Sequence, residues 1–435
     1  MRILVCFKTY LRPGDPGVRR FNEFCNIWAE DSNNEVTVIA GQFSHHLGAR
    51  YPDLKGLEAH WENDGPVRVL RLASTDSYHK GFKGRAWSQY WWGRHAMRRL
   101  AEIEAPDVVI ASSPTLWASF PMVAAKKRWG IPAVLEVRDL WPEAIIQHGI
   151  AGEKNFAMWY LRRLERYATS QADHAVTIVA TQKNSMVQRG LMQPEQVSVI
   201  PNGIMLDKYE AVPDDARQRL RAQLGIAQDK TVVLYVGGIG RSHDVAKFVD
   251  LAQELRGNPQ VQLVCVGDGP DKPLLEAEAA ARGLANIQFT GAVPTDAVPE
   301  YCSIADIGCA LVNTREGTNW DNKTRGIFRN AFFDLAGARL PVVFNVPGFP
   351  VDEIQDRAGG GVFCDTTQGI RPLAAAVLAL AGDAERRGRM GENNYREVAV
   401  RYNRRKMAQE YMVLLKRLAG QAHLAARTTQ AEAAR

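Results

Sequence analysis

Two successive runs of alternating strand and helix, separated by a break at Pro201-Asn202-Gly203, constrain the fold of this chain more than any other feature. Short β-branched segments recur at Ile3–Cys6, Val36–Ile39, Val67–Leu72, Val108–Ala111, Ala133–Val137, Ala175–Val179 and Val197–Ile200. Segments of helical spacing separate most of them, which predicts a parallel sheet covered on both faces. A polar, acid-rich stretch through Pro213-Asp214-Asp215 follows the break and reads as a hinge. The alternation then restarts with Val232–Val236, Val261–Val266, Ile287–Phe289, Ile307–Leu311, Val342–Phe344 and Val362–Cys364. Between the first two, Phe248, Leu251, Ala252 and Leu255 fall at i, i+3, i+4 and i+7 of a helix. The predicted class is α/β, two doubly wound Rossmann-like domains facing across a cleft, with the cleft as the expected site.

The 435 residues suffice for two or three domains with sizeable cores. A net charge of +6 suits anionic ligands or an acidic membrane surface, and the absence of a domain-wide basic stripe or recognition-helix signature argues against nucleic acid. Cys6, Cys25, Cys265, Cys302, Cys309 and Cys364 are scattered without a CxxC pair, as expected of reduced core residues in a cytoplasmic protein. Met1–Cys6 is too short for a signal peptide, and no run approaches the ~20 apolar residues that span a bilayer. The expectation is a soluble or peripheral protein.

Four stretches are placed to carry chemistry. Gly14-Asp15-Pro16-Gly17 follows the first strand, where glycine lets backbone approach a phosphate or sugar; a plain turn fits equally. Gly237-Gly238-Ile239-Gly240-Arg241-Ser242-His243 holds the equivalent place in the second half, with the cation a diphosphate requires. It is not GxGxxG, and no ribose-binding acid follows about 20 residues on, which weakens a nicotinamide reading. Arg138-Asp139-Leu140-Trp141-Pro142-Glu143 leaves the strand Ala133–Val137, either as site residues or as a structural Arg–Asp pair. Asn330–Phe344 is a helix carrying Asp334 that turns at Leu340-Pro341 into a strand, bringing a carboxylate to the strand-end crevice. HExxH, complete GxSxG, Walker and Asp-x-Asp patterns are missing, so no metal site is expected.

In this order these stretches resemble the family-4 retaining glycosyltransferases of the GT-B fold. The branch most similar builds bacterial surface polysaccharides from nucleotide-activated amino sugars. Glu136–Glu143 matches a hallmark of that branch, and Val199–Ile204 its domain-entry motif. Leu234–Arg241, Val266–Pro270 and Phe289–Val293 resemble its second-domain signatures, and Asn330–Asp334 its Asn-Lys-Phe-Phe-Asp pattern. The resemblance implies an acceptor domain over 1–205, a nucleotide-sugar domain over 206–400, a helix over 401–420 returning to the first domain, and a frayed tail over 421–435. It implies that Asp334 bonds the ribose, that Arg241 and the amides near Gly238 and Gly240 hold the diphosphate, and that backbone at Val293 meets the base. His243 and Asn330 complete the donor set, Gly17 approaches the donor from the first domain, and Arg138 and Asp139 line the transfer site. The implied partners are a nucleotide sugar, UDP-linked, and a glycan or polyprenyl-linked acceptor; no cofactor is implied.

Departures from the pattern are equally legible. Gly326 stands where many relatives carry an acid, Ala331 where a lysine is usual, and Arg339 and Asp244 where glycine is usual. Lys323, Arg325 or Arg329 are placed to restore the missing charge. The alternatives are a nucleotide-sugar epimerase or hydrolase on the same fold, which needs no acceptor, and a catalytically impaired donor-binding partner protein. Finally, residues 82–100 interleave Trp87, Trp91 and Trp92 with arginines. That composition suits an anionic membrane surface at the inner face of the cell membrane, or equally a buried first-domain helix with a cationic solvent face.

Overall fold

The computed structural model describes residues 1–44, 48–75, 81–113, 115–147, 152, 155–240, 243–313, 330–347 and 351–433. The chain divides into two compact units, Met1–Pro201 with Arg405–Arg435, and Asn202–Arg404.

Unit 1 holds strands β1 (Arg2–Cys6), β2 (Glu35–Gly41), β3 (Phe43–Ser44), β4 (Ala49–Arg50), β5 (Ala59–Asp64), β6 (Val67–Leu72), β7 (Val108–Ser112), β8 (Ala133–Val137), β9 (His174–Thr177) and β10 (Val197–Val199). Its helices are α1 (Arg20–Ala29), α2 (Gly81–Arg99), α3 (Ser119–Trp129), α4 (Glu143–Gln147), α5 (Phe156–Gln171) and α6 (Ala180–Gln188). Eight strands form one sheet in the order β10-β9-β8-β7-β1-β2-β6-β5, with β5 antiparallel to β6 and every other pairing parallel. The central strands are apolar at successive positions because both their faces are covered. On one face Trp92 of α2, Met122 of α3, Ala168 of α5 and Met186 of α6 pack over Leu4, Val109 and Leu135. α1 crosses from β1 to β2 in the opposite sense, so the right-handed crossover puts it on the other face. There Phe24 and Trp28 meet Tyr411 edge-on, and Trp28 Nε1 donates to the carbonyl of Ala408 at 2.8 Å.

Ala408 and Tyr411 belong to the long last helix (Arg404–Ala433), which thus returns to unit 1. It continues through residues 421–433, where a frayed tail is expected from the sequence. Five of those thirteen residues are alanine, the residue with the strongest helix propensity. β5 has no counterpart in the sequence-based strands either. Ala59-His60-Trp61-Glu62-Asn63-Asp64 lacks a β-branched residue, and edge pairing with β6 fixes it instead.

Unit 2 opens with α7 (Asp207–Glu210) and α8 (Ala216–Gln223). Its parallel sheet, in the order β13-β12-β11-β14-β15-β16, comprises β11 (Thr231–Val236), β12 (Val261–Val266), β13 (Ile287–Gly291), β14 (Ile307–Ala310), β15 (Val342–Phe344) and β16 (Gly361–Phe363). α9 (Ala246–Glu254), α10 (Lys272–Ala281), α11 (Val298–Ser303), α12 (Asn330–Gly337), α13 (Arg371–Ala381) and α14 (Ala384–Arg401) cover it. The predicted stripe Phe248, Leu251, Ala252 and Leu255 is buried against Val233, Leu263 and Cys309. All six cysteines are free and buried. β12 and β14 flank β11, so the strand order reverses there, which is where ligands settle in such sheets.

Candidate active site

The carboxyl ends of the unit 2 strands are glycine-rich because their turns touch backbone to backbone. Gly237 N donates to Val266 O and Ile239 N to Asp268 O, each at 2.9 Å, laying the turn after β11 on the turn after β12. A Cβ on Gly267 would stand 1.8 Å from the Gly237 carbonyl oxygen, and one on Gly269 2.1 Å from that of Ile239. Both glycines hold positive φ, +147° and +157°, which side chains disfavour. Gly267 N in turn donates to Gly291 O at 3.0 Å, bringing in the end of β13 beside Val293. Three signatures far apart in sequence are therefore one stack of main chain, with α9 and α10 beginning just beyond it. Main-chain N–H groups and helix N-termini favour anions.

Side chains trim this stack. Tyr235 Oη donates to Gly238 O at 2.8 Å, and a Cβ on Gly238 would lie 3.5 Å from His243 Cε1. His243 N donates to Gly240 O at 2.8 Å. Asp244 is buried ahead of α9, with Lys247 Nζ 3.8 Å away, and Lys247 also donates to Thr366 O at 2.8 Å. The extra carboxylate near the turn is thus opposed by a lysine and by the helix N-terminus. Arg241, Lys323, Arg325, Gly326 and Arg329 lie outside the described residues.

Asp334 sits one turn into α12 and accepts a hydrogen bond from Tyr209 Oη at 2.6 Å. Burial, then the neighbouring Asp334 carboxylate, pushes the Tyr209 phenol well above its ordinary value. Asn330, the first residue of α12, accepts from Asn202 Nδ2 at 2.9 Å. The domain-entry motif thereby anchors the start of the Asp334 helix. Two residues past the helix end stands Arg339, the one non-glycine with positive φ (57°) among the described residues. The glycine that the family resemblance implies here would suit that left-handed cap. Here Glu392 and the ring of Tyr395, 3.5 Å from the guanidinium carbon, hold the arginine.

In unit 1 the corresponding loops are fixed by charged and neutral polar side chains. The loop after β1, carrying Gly14 and Gly17, is tied to β5. Tyr10 Oη donates to Asp64 at 2.8 Å, Arg12 Nε to Glu62 at 3.0 Å, and Tyr51 Oη to Asp15 within the loop. Arg71, fully buried, pairs with Glu62 and donates to Tyr10 O at 2.8 Å. After β8, Ser113 Oγ accepts from Arg138 N at 2.8 Å, and Gln182 Nε2 donates to Arg138 O at 2.9 Å. The Arg138 guanidinium lies over Phe7, 5.4 Å from the ring centre. Among the described residues Arg138 and Asp139 form no ion pair with each other or with a third group.

Residues 18–203 match the domain family described as Glycosyl transferase 4-like domain, and residues 216–318 match Glycosyl transferases group 1. The chain belongs to the family-4 glycosyltransferases of the GT-B fold. It is 31% identical over 214 residues to a protein named for colanic acid biosynthesis, the glycosyl transferase WcaI of Escherichia coli K12, covering 49% of this chain and 52% of WcaI. It is 23% identical over 274 residues to a glycosyltransferase named WbjE from Pseudomonas aeruginosa, covering 62% and 65%. The alignments therefore span about half of the first relative and less than two thirds of either. Among solved structures, Anabaena HepE in complex with UDP superposes with a TM-score of 0.67 at 17% identity, over 96% of this chain and all of HepE. Sucrose-phosphate synthase from Thermosynechococcus elongatus gives 0.73 at 16%, over 97% and 100%. At such identities these two establish the fold.

Several supporting residues of this candidate site escape sequence reasoning. Glu62 and Asp64 lie in a strand without a strand signature, and Tyr209 and Lys247 fall in ordinary polar helix. Lys272, at the start of α10, brings its Nζ within 3.9 Å of where a Gly291 Cβ would stand. No local pattern marks any of them, because each acts through a partner distant in sequence. A pocket of about 500 Å³ lies at the opposite, amino end of the unit 2 sheet, lined by Arg217, Asp306, Leu340 and Arg387. Its arginines are engaged: Arg217 with Asp306 at 2.7 Å, and Arg387 with the carbonyls of Leu380 and Ala381.

Proposed function

We propose that the chain transfers a sugar, with retention of anomeric configuration and without a metal ion or cofactor, from a UDP-linked donor to a glycan or polyprenyl-linked acceptor. The carrying observation is the main-chain stack of Gly237, Gly267, Gly269 and Gly291, a surface suited to a diphosphate. The UDP bound to HepE, and the UDP-glucose bound in another structure of that protein, support the choice of nucleotide. In this reading Asp334, oriented by Tyr209, bonds the ribose, Asn330 and His243 border the donor, and Val293 meets the base. Gly17 approaches the sugar, and Arg138 and Asp139, unpaired with each other, line the transfer site. The acceptor hydroxyl attacks the anomeric carbon on the face the diphosphate leaves, and its proton passes to a phosphate oxygen. Arg241 stabilises the charge that grows on the diphosphate, and Lys247 and Lys272, beside Asp244 and Gly291 of the glycine turns, add to it. The enzyme works in the cytoplasm, at the inner face of the membrane.

Screening nucleotide sugars by thermal shift tests the donor assignment, because a donor that binds only the folded state raises the melting temperature. UDP sugars are expected to give the largest shift. Nucleotide release that needs an acceptor and persists in EDTA supports metal-free transfer, whereas acceptor-independent release favours an epimerase or hydrolase. Arg241→Ala is expected to cost about 2–4 kcal/mol in turnover. Asp244 beside the glycine turn favours one other reading, a donor-binding partner without turnover. A donor-induced shift with no transfer to any acceptor would select it.

A further inference from the structure

The described residues with large exposed aromatic side chains are concentrated on two helices of unit 1. Trp87 (52% exposed) and Trp91 (37%) lie on α2; Phe156 (76%), Trp159 (52%), Tyr160 and Tyr167 lie on α5. Trp61 is the one exposed aromatic elsewhere among the described residues. On each helix the aromatics fall in a stripe with cations. Lys83, Trp87, Trp91, Arg94 and Arg98 follow one face of α2, and Phe156, Trp159, Arg163 and Tyr167 one face of α5. Phe156 stacks on Trp159 with ring centres 5.3 Å apart, and Arg163 lies 5.0 Å from the Trp159 ring. α2 carries no acid, and the one acid of α5, Glu165, is buried against Arg189.

The two stripes share a floor. Tyr90 of α2 and Met158 and Leu161 of α5 pack on the same cluster around Leu116 and Trp117. Trp141 and Ile145, at the Arg138–Glu143 loop, join that cluster. The first turns of both helices stand at the carboxyl end of the sheet, since each runs back antiparallel to the strands it connects. The aromatic face and the loop carrying Arg138 and Asp139 are therefore neighbours through shared side chains.

We infer that α2 and α5 together form a docking face for an anionic lipid bilayer, with Phe156 and Trp159 of α5 as its apolar anchors beside the basic aromatic stripe of α2. Aromatic rings with cationic neighbours match the boundary between acyl chains and anionic headgroups, and the missing exposed acids make the match one of charge as well as polarity. No described helix is long and apolar enough to cross a membrane, so this face would hold the chain at the surface. The inference gives a place to the polyprenyl-linked acceptor of the proposed reaction, yet its physical basis is independent of transfer.

The test is co-sedimentation of the whole chain with phosphatidylglycerol vesicles and with phosphatidylcholine vesicles, without any sugar nucleotide. Binding to the anionic vesicles that weakens with salt is expected, together with Trp fluorescence quenching by brominated phosphatidylglycerol. Phe156→Ala/Trp159→Ala is expected to lose about tenfold in affinity, and Arg163→Gln a smaller factor, while Trp61→Ala behaves as the parent. These side chains are exposed, and an unchanged melting temperature verifies that each variant folds. Equal binding to both vesicle types, or full retention by Phe156→Ala/Trp159→Ala, would overturn the inference. So would a dimer in sedimentation equilibrium that the same variant disperses, since the face would then belong to a second copy. A transferase failure with vesicle binding intact would count against the proposed function alone.

Discussion

The loops at the carboxyl ends of the two sheets do similar work with different materials. In unit 2, Gly237, Gly267, Gly269 and Gly291 let three turns stack main chain on main chain, and a single Cβ would meet a carbonyl oxygen at 1.8 Å. In unit 1, a Cβ on Gly14 meets nothing within 4 Å. There the loop is shaped by Arg12, Arg71 and Tyr10 reaching Glu62 and Asp64 on β5. A glycine stack leaves no side chain between ligand and backbone, which suits a diphosphate common to many donors. A loop tied by charged side chains can be re-cut residue by residue, which suits an acceptor. The difference also predicts opposite sensitivities.

The sharpest break should come from Gly267→Ala. The carbonyl of Gly237 must move and φ near +147° must be kept. A loss of about 4 kcal/mol is expected in the unit 2 transition by chemical denaturation. Gly14→Ala, with open space around it, should cost about 1 kcal/mol for its positive φ alone. Equal costs would dissolve the contrast. Conversely, Glu62→Ala should cost unit 1 about 3 kcal/mol, because it strands the buried Arg71 guanidinium. Glu62→Gln, which keeps a hydrogen-bond acceptor, should recover part of that.

A pH profile sharpens the unit 1 side. Lys8, buried after β1 with its Nζ 2.9 Å from Ser88 Oγ, is lowered by burial from 10.5 to about 7. Between those values the unfolded chain binds more protons than the folded one, so this group makes stability rise with pH through that window. Lys8→Met should flatten the rise and raise the melting temperature most below pH 7, as followed by circular dichroism. The smallest effect concerns Arg339. Arg339→Gly relieves the left-handed cap but gives up Glu392 and Tyr395, leaving stability within about 1 kcal/mol of the parent. Arg339→Ala keeps the strain and loses the contacts, so it should be the less stable of the two.

Much of the fold was legible because strand and helix patterns are local: Val67–Leu72, Ala133–Val137 and Val342–Phe344 form strands with the ends the sequence predicts. β5 was not, since pairing rather than propensity makes it a strand. The candidate site was legible as separate motifs, each glycine reading as a turn. That Gly267 exists for Gly237, and Asn202 for Asn330, depends on contacts between distant segments that spacing does not encode. The roles of Glu62, Tyr209 and Lys272 were hidden for the same reason. For Arg339 the order reverses: the sequence marks a missing glycine, and its positive φ supplies the cause.

In the proposed reading unit 2 is the donor site, with Asp334 its ribose anchor. Titration calorimetry of UDP into the whole chain and into Asp334→Ala tests it most directly. One site per chain is expected, with an affinity on the order of micromolar, weakened about tenfold or more by the substitution. No binding of UDP, ADP or GDP to the parent chain, or UDP binding that Asp334→Ala leaves unchanged, would contradict it.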